Sequence, residues 1–236
     1  MNENAFYIPV GNGTEVSLLK WLQRAEIPVH ALIKNKETQQ RANYPFSSDE
    51  KYSVAAMEFD GKVRVYIKGA PEEILKKCSK KFSADGTEVE LEESDVRYIL
   101  NDMATQTFCK KEGLRVIALS YVDFDLDTFN SFKQETNDFK NPSDFERIMN
   151  GHTLIGLVAL KDVLRHGVKA TIDTAIQKGG ITVRLVSADH LETAKCYAVD
   201  SGILPKESLE NEFGQDTSHY AMNADDFIAQ VGKVKY

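Results

Sequence analysis

An α+β fold is predicted, an antiparallel sheet flanked by helices and then a partial α/β half, on three observations. Asp60-Gly61 separates two runs, near Tyr52 to Phe59 and Val63 to Ile67, that are rich in β-branched and aromatic residues. Asp-Gly between such runs is a hairpin signal, so the two strands should pair antiparallel. Lys68-Gly69-Ala70-Pro71-Glu72 ends the second strand and opens a helix, because Pro71 suits a first helical turn and Glu72 and Glu73 favour its positive end. Beyond Thr153 the pattern becomes strand, helix, strand, helix, which implies a parallel sheet. The change of grammar places a boundary near residue 151, giving segments 1–151 and 152–236.

Taken in order, the apolar residues Val16, Leu18, Leu19 and Leu22 have helical spacing, with Trp21 beside them. Val29 to Ile33 reads as a strand that leads into a polar loop rich in Gln, Asn and Lys. After the hairpin and the Pro71 helix, Ser83-Ala84-Asp85-Gly86-Thr87 signals a loop. A helix is expected from Ser94 to about Lys110 and a strand from Leu114 to Val122. The acidic, Phe-containing segment from Asp123 to Arg147 reads as a peripheral insertion. In the second segment, strands are expected at Leu154 to Leu160 and Thr182 to Val186, and helices near Gly167 to Lys178 and Leu191 to Ser201. The tail beyond Leu204 is polar and loosely patterned.

Composition narrows the function. The 236 residues carry 29 basic and 36 acidic side chains, a formal charge of −7. Without clustered Lys and Arg, a nucleic-acid polymer is not an expected partner, whereas a single nucleotide needs only a local patch. Cys78, Cys109 and Cys196 are scattered, so free thiols in a reducing compartment are expected, with neither a metal cluster nor a disulfide framework. No apolar run approaches the roughly 20 residues that cross a bilayer, and no secretory leader is evident. The chain is expected to be soluble.

Lys68 beside Gly69 and Ala70 at a strand end offers a cation next to small residues that let a ligand approach the backbone. The same chain carries Gly11-Asn12-Gly13-Thr14-Glu15, Pro45-Phe46-Ser47-Ser48-Asp49-Glu50-Lys51, Glu112-Gly113-Leu114-Arg115 and Gly180-Ile181-Thr182-Val183-Arg184, followed by Asp189. In that order these motifs resemble the nucleotide-binding domain of P-type cation-transporting ATPases, continuing into part of their phosphorylation domain, a haloacid-dehalogenase-like α/β fold. Through KGAPEEILKKC and GITVRLVSADHLETAKCYAVDSGIL the resemblance is nearest to calcium pumps of the plasma-membrane type, and it covers roughly Val10 to Val234.

The resemblance implies a role for each matching residue, and each also has a plainer structural reading. Phe46 matches the aromatic that stacks on adenine; an ordinary core phenylalanine is the alternative. Glu15 matches the acid that faces the adenine amino group, and it equally suits a first helical turn. Lys51 and Lys68 match the lysines that line the pocket, beside Gly69 and Ala70; most lysines are surface charges. Arg115 matches an arginine that reaches the phosphates, as a guanidinium fork can, or it is a strand-edge ion pair. Asp189 matches the aspartate of a Thr-Gly-Asp motif on the phosphate side of the phosphorylation domain, at a strand end where α/β folds place ligands. Here the motif reads Ser187-Ala188-Asp189, and Ala188 puts in doubt any role that needs a glycine. Asp162 and Arg165 match an Asp-x-x-Arg segment whose middle residues are usually prolines; here they are Val163 and Leu164. Ser48 stands where calcium pumps often carry a basic residue, so one phosphate contact worth about 1.5–3 kcal/mol at most would be missing.

Two family strings are absent from the sequence: Asp-Lys-Thr-Gly-Thr, which holds the phosphorylated aspartate, and Gly-Asp-Gly-x-Asn-Asp, which holds magnesium. Phosphoryl transfer needs both an acceptor and a metal. The expectation is therefore a cytosolic portion of a calcium pump that binds ATP without hydrolysing it. It would hold no catalytic residue and no metal ligand of its own. Mg2+ would act in the whole pump, with the remaining phosphorylation, actuator and transmembrane domains as partners at the cytoplasmic face of a membrane. A non-catalytic nucleotide-binding regulatory module and a pump for another cation are the alternatives. A haloacid-dehalogenase-type phosphatase is a weaker one, since no nucleophilic aspartate ends a first strand.

Overall fold

In the computed structural model, residues 10–33, 39–209 and 221–232 are described. Along the chain the elements are α1 (Gly13–Arg24), α2 (Val29–Ile33), β1 (Gln39–Tyr44), β2 (Tyr52–Phe59), β3 (Lys62–Gly69), α3 (Pro71–Ile74), β4 (Cys78–Phe82), β5 (Glu88–Glu90), α4 (Glu93–Arg97), β6 (Arg115–Asp125), α5 (Leu126–Glu135), β7 (His152–Leu160), α6 (Val168–Asp173), α7 (Leu191–Asp200) and α8 (Ala224–Val231). A π-helix, Tyr98–Lys111, continues α4, and another, Thr174–Lys178, continues α6. The chain divides into two compact units. The first comprises the described residues up to Glu92 together with Ile117–Leu160, and the second comprises Glu93–Val116 and the described residues from Lys161 onward.

The first unit is built on a seven-stranded sheet in the order β1-β2-β3-β6-β7-β4-β5. The β2–β3 hairpin forms as expected, with Tyr52 opposite Gly69 and Phe59 opposite Lys62. Its turn needs positive φ at both central residues, and Asp60 and Gly61 adopt 51° and 72°. β3 pairs antiparallel with β6, whereas β4 pairs parallel with β7, so the sheet is mixed. Alternate side chains of the central strands, among them Val54, Ala56, Val63, Val65, Ile67 and Ala118, are buried.

Four local expectations are corrected. Val29–Ile33 is a helical turn: Pro28 presets its start and its carbonyl accepts the Ala31 N–H at 3.0 Å. The polar stretch after it contains strand β1 on the sheet edge, where one face meets water and the ladder needs no apolar alternation. Residues 123–147 are not peripheral. Phe129, Phe139, Phe145 and Ile148 are buried, with ring centroids 5.4 Å apart for Phe129–Phe139 and 5.1 Å for Phe139–Phe145. Three successive left-handed residues, Asn137, Asp138 and Phe139, bring Phe139 inward; Asn and Asp tolerate that region and burial of the ring offsets the rest.

The fourth correction concerns the α/β half. Leu154 to Leu160 is a strand, but it belongs to the sheet just described. Residues 182–186 form no strand, and no second sheet forms among the described residues. In the second unit the packing centres on α7 against the π-helix Tyr98–Lys111, where Ile99, Ala104, Cys109, Cys196 and Ala198 are buried. The expected helices appear as α4 with its π continuation, α6 with its own, and α7.

Candidate functional site

In the first unit, strand register brings most of the predicted residues to one corner. Lys51 directly precedes β2, and Lys68 and Gly69 end β3, paired with Ser53 and Tyr52. The chain from Phe46 to Lys51 is a tight turn: the Lys51 N–H donates to the Ser47 carbonyl at 2.8 Å and the Glu50 N–H to Ser47 Oγ at 3.3 Å. Lys51 lies in the left-handed region at φ 60°, held there because its carbonyl accepts the Ala70 N–H at 3.0 Å. The fit explains Gly69: a Cβ there would stand 2.4 Å from the Lys51 carbonyl oxygen and 2.7 Å from Tyr52 Cα. Only glycine permits that approach.

Charge is arranged in pairs at this corner. Lys68 Nζ is ion-paired with Glu15, in the first turn of α1, whose entry is capped by Asn12 Oδ1 accepting the Glu15 N–H at 2.9 Å. Lys51 Nζ lies 3.6 Å from Glu72 Oε1 in α3. Phe46 stands on the same turn as Lys51 with 62% of its surface exposed, so the core alternative does not apply to it. Glu50, also on this turn, has a buried Oε2 with no hydrogen-bond partner among the described residues. Together Glu15, Lys51, Lys68, Gly69 and Ala70 form a polar corner, with the exposed ring of Phe46 on the adjoining turn.

The remaining predicted residues lie in the second unit. Gly113, at φ 64°, ends the π-helix, and a Cβ on it would meet Cys196 Cβ of α7 at 2.6 Å. Thr193 Oγ1 donates to the Leu114 carbonyl at 3.3 Å. These contacts carry Arg115 to the start of α7. There it forks onto Asp189, Nε to Oδ1 at 3.1 Å and Nη2 to Oδ2 at 3.3 Å, and Nη2 also lies 3.1 Å from Asp162 Oδ2. Burial opposes the Arg115 charge, but the Asp189 and Asp162 carboxylates outweigh it and raise its pKa.

Ser187 Oγ donates to Asp189 Oδ2 at 3.2 Å and accepts the Asp189 N–H at 3.0 Å. Ala188 is not among the residues with positive φ, so alanine stands there without backbone strain. Arg165 is exposed and makes no ion pair among the described residues. Sequence reasoning missed Tyr197, whose buried hydroxyl has no standard hydrogen bond among the described residues. Burial first, then the Asp162 charge, raises its pKa. It also missed Glu72 as a partner of Lys51; its place in a first helical turn gave it a different explanation.

Magnesium favours octahedral oxygen ligands. Among the described residues no three His, Cys, Asp or Glu side chains gather where a metal could be held, and Asp162 and Asp189 are engaged by Arg115. These residues do not fit a bound Mg2+.

A mixed seven-stranded sheet flanked by helices is the architecture of a P-type ATPase nucleotide-binding domain. The sequence agrees: residues 2–167 match the family described as P-type ATPase, cytoplasmic domain N, and the chain belongs to that family. Its relatives are calcium-transporting. Plasma membrane calcium-transporting ATPase 1 of Mus musculus and of Homo sapiens is 34% identical over 236 residues, covering 94% of this chain and 17% of the relative's length. Calcium-transporting ATPase 2, plasma membrane-type, of Arabidopsis thaliana is 32% identical over 173 residues, covering 71% of this chain and 15% of its own length. The chain thus spans less than a fifth of the length of these relatives. No helix among the described residues is long and apolar enough to cross a membrane.

Proposed function

We propose that the corner formed by Glu15, Lys51, Lys68, Gly69 and Ala70, with Phe46 beside it, binds an adenine nucleotide as part of a P-type calcium-transporting ATPase. The observation that carries this reading is the close approach at Gly69, which sets the backbone of Lys51 directly against that of Ala70. The exposed Phe46 ring would stack on the base, and the Glu15 carboxylate would accept from the adenine amino group, a donor that guanine lacks at that place. Lys51 and Lys68 would meet the phosphates. Arg115 would reach phosphate only by exchanging its bonds to Asp189 and Asp162.

The acceptor aspartate would lie outside this chain, which has no Asp-Lys-Thr-Gly-Thr string. This chain would then bind ATP without hydrolysing it, and the γ-phosphate would pass to the rest of the same pump, powering calcium transport at the cytoplasmic face of a membrane. Mg2+ would be held there as well. Ser187, Asp189, Asp162 and Arg165 would form the phosphate side of the phosphorylation domain, beyond a boundary near residue 151. A haloacid-dehalogenase-like sheet in that half would need further strands beside residues 182–186.

The test is a calorimetric titration of the chain with ATP and GTP, beside Lys68→Ala. Saturable ATP binding that GTP does not reproduce is expected, weakened about tenfold or more in the variant, the worth of a charged hydrogen bond. No heat at millimolar ATP would withdraw the nucleotide reading.

A further inference from the structure

Both lysines of the nucleotide corner already carry a carboxylate partner, and the two pairs differ in kind. Glu15 belongs to α1 and is the acid assigned above to the base. Glu72 belongs to the fixed corner itself: Ala70 is tied to Lys51, and the Glu73 N–H donates to the Ala70 carbonyl at 3.0 Å, closing the turn that presents Glu72. The Lys51 backbone is held from the other side by Ser47. The Lys51–Glu72 pair, at 3.6 Å, therefore follows from the backbone, not from two long side chains meeting by chance.

We propose that Glu72 is the counter-charge that sets how tightly this site takes a polyphosphate, by holding Lys51 until a phosphate oxygen replaces it; this rests on the nucleotide reading above. With two lysines and two glutamates the corner is formally neutral. Asp49 and Glu50 on the neighbouring turn add no positive charge. A triphosphate approaching it meets no net attractive field and binds by exchange. Exchange is easy because both partners are about half exposed, Lys51 at 55% and Glu72 at 48%, and an ion pair in water is weak. The consequence is selectivity: a bare polyphosphate gains only the lysine it takes from the carboxylate, whereas a nucleotide also gains the Phe46 ring and Glu15.

Glu73 supplies the control. It has the same charge one residue along, but it faces Lys76 at 2.9 Å. The experiment titrates the 236-residue chain, Glu72→Gln and Glu73→Gln with ATP and with inorganic tripolyphosphate, at low and high salt. Glu72→Gln should bind ATP about two- to fivefold more tightly at low salt, the range of an exposed ion pair. It should also gain affinity for tripolyphosphate and show a steeper salt dependence, while Glu73→Gln behaves as the parent. If the parent binds ATP and Glu72→Gln binds it equally or more weakly, the proposal is overturned and the nucleotide reading stands. An equal gain in Glu73→Gln also overturns it, since net charge alone would then suffice. Absence of ATP binding by all three proteins overturns the nucleotide reading and the proposal together.

Discussion

Two segments of similar sequence, Val63-Arg64-Val65-Tyr66-Ile67 and Ile181-Thr182-Val183-Arg184-Leu185-Val186, end in different places. The first lies in β3 between β2 and β6, with Val63, Val65 and Ile67 buried. The second joins no strand ladder among the described residues, and Val186 is 94% exposed. Both present β-branched residues in a strand rhythm, so propensity does not separate them. Neighbours do. A strand pattern states that a segment fits a pleated, half-buried surface, and only ladder partners on either side supply one. The units differ in the same way: among the described residues the first holds most of the large apolar side chains that are buried, whereas α6, its π continuation and α8 bury none.

The largest test of that contrast is Phe129→Ala. The ring is fully buried against Phe139 in the first unit, so its loss should cost about 3–5 kcal/mol, as deletion of a core aromatic does. Trp21, the chain's one tryptophan, lies in α1 of the same unit, and its fluorescence in urea would report the midpoint. A loss below about 1 kcal/mol would mean that residues 123–147 are a peripheral insertion after all.

Acid is the next largest. His152 is buried, its Nδ1 3.2 Å from Ser120 Oγ and its Nε2 3.1 Å from the Ile148 carbonyl. Those partners suit a neutral ring that donates from Nε2 and accepts at Nδ1. Burial pulls its pKa down to about 4, against an ordinary 6.5; the Ile148 carbonyl partly opposes this and the Lys77 charge adds to it. The unfolded chain therefore binds the extra proton first. Stability from this group is fully present above pH 6.5 and falls away as pH drops through 4, by about 3 kcal/mol in all. Urea midpoints measured across that range should show the slope, and His152→Gln should flatten it.

What was legible follows the same physics. The β2–β3 hairpin and the Lys68–Glu72 corner depend on neighbours a few residues away, and Asp60-Gly61, Gly69 and Pro71 announce them. Phe46, Lys51 and Lys68 were found through the family resemblance, and the β2–β3 register, with Tyr52 opposite Gly69, accounts for Lys51 lying beside the end of β3. β1 was hidden because an edge strand needs no apolar alternation, as Gln39-Gln40-Arg41 illustrates. The Phe129–Phe139–Phe145 cluster was hidden by acidic residues around it and by a left-handed turn at 137–139 that no pattern predicts. Arg115 was found as a functional candidate, but its fork onto Asp189, 74 residues away, is a tertiary fact. Glu72 was visible only as a helix-start charge.

Phe46→Ala separates function from packing within the first unit. The ring is mostly exposed, so stability should change by no more than about 0.5 kcal/mol. ATP binding should weaken by about 1–3 kcal/mol if the ring stacks on the base. Calorimetry and a urea curve on the same sample decide. A large stability loss with unchanged binding would return Phe46 to the core and remove it from the site.

The smallest effect is expected at Val186→Ser, and it bears directly on the opening contrast. With the side chain in water and no strand beside it, substitution should change stability by less than about 0.5 kcal/mol. Hydrogen exchange of the amides at 182–186 should be fast, because no ladder bond protects them. The same substitution at Val65, in the middle of β3, removes buried apolar surface and leaves a hydroxyl to be satisfied, at a cost of roughly 2 kcal/mol or more. If Val186→Ser instead approached that value and the amides were protected, residues 182–186 would have found strand partners in solution. The α/β reading of this half would then be restored, and the difference between the two segments would lie in what else is present, not in the segments themselves.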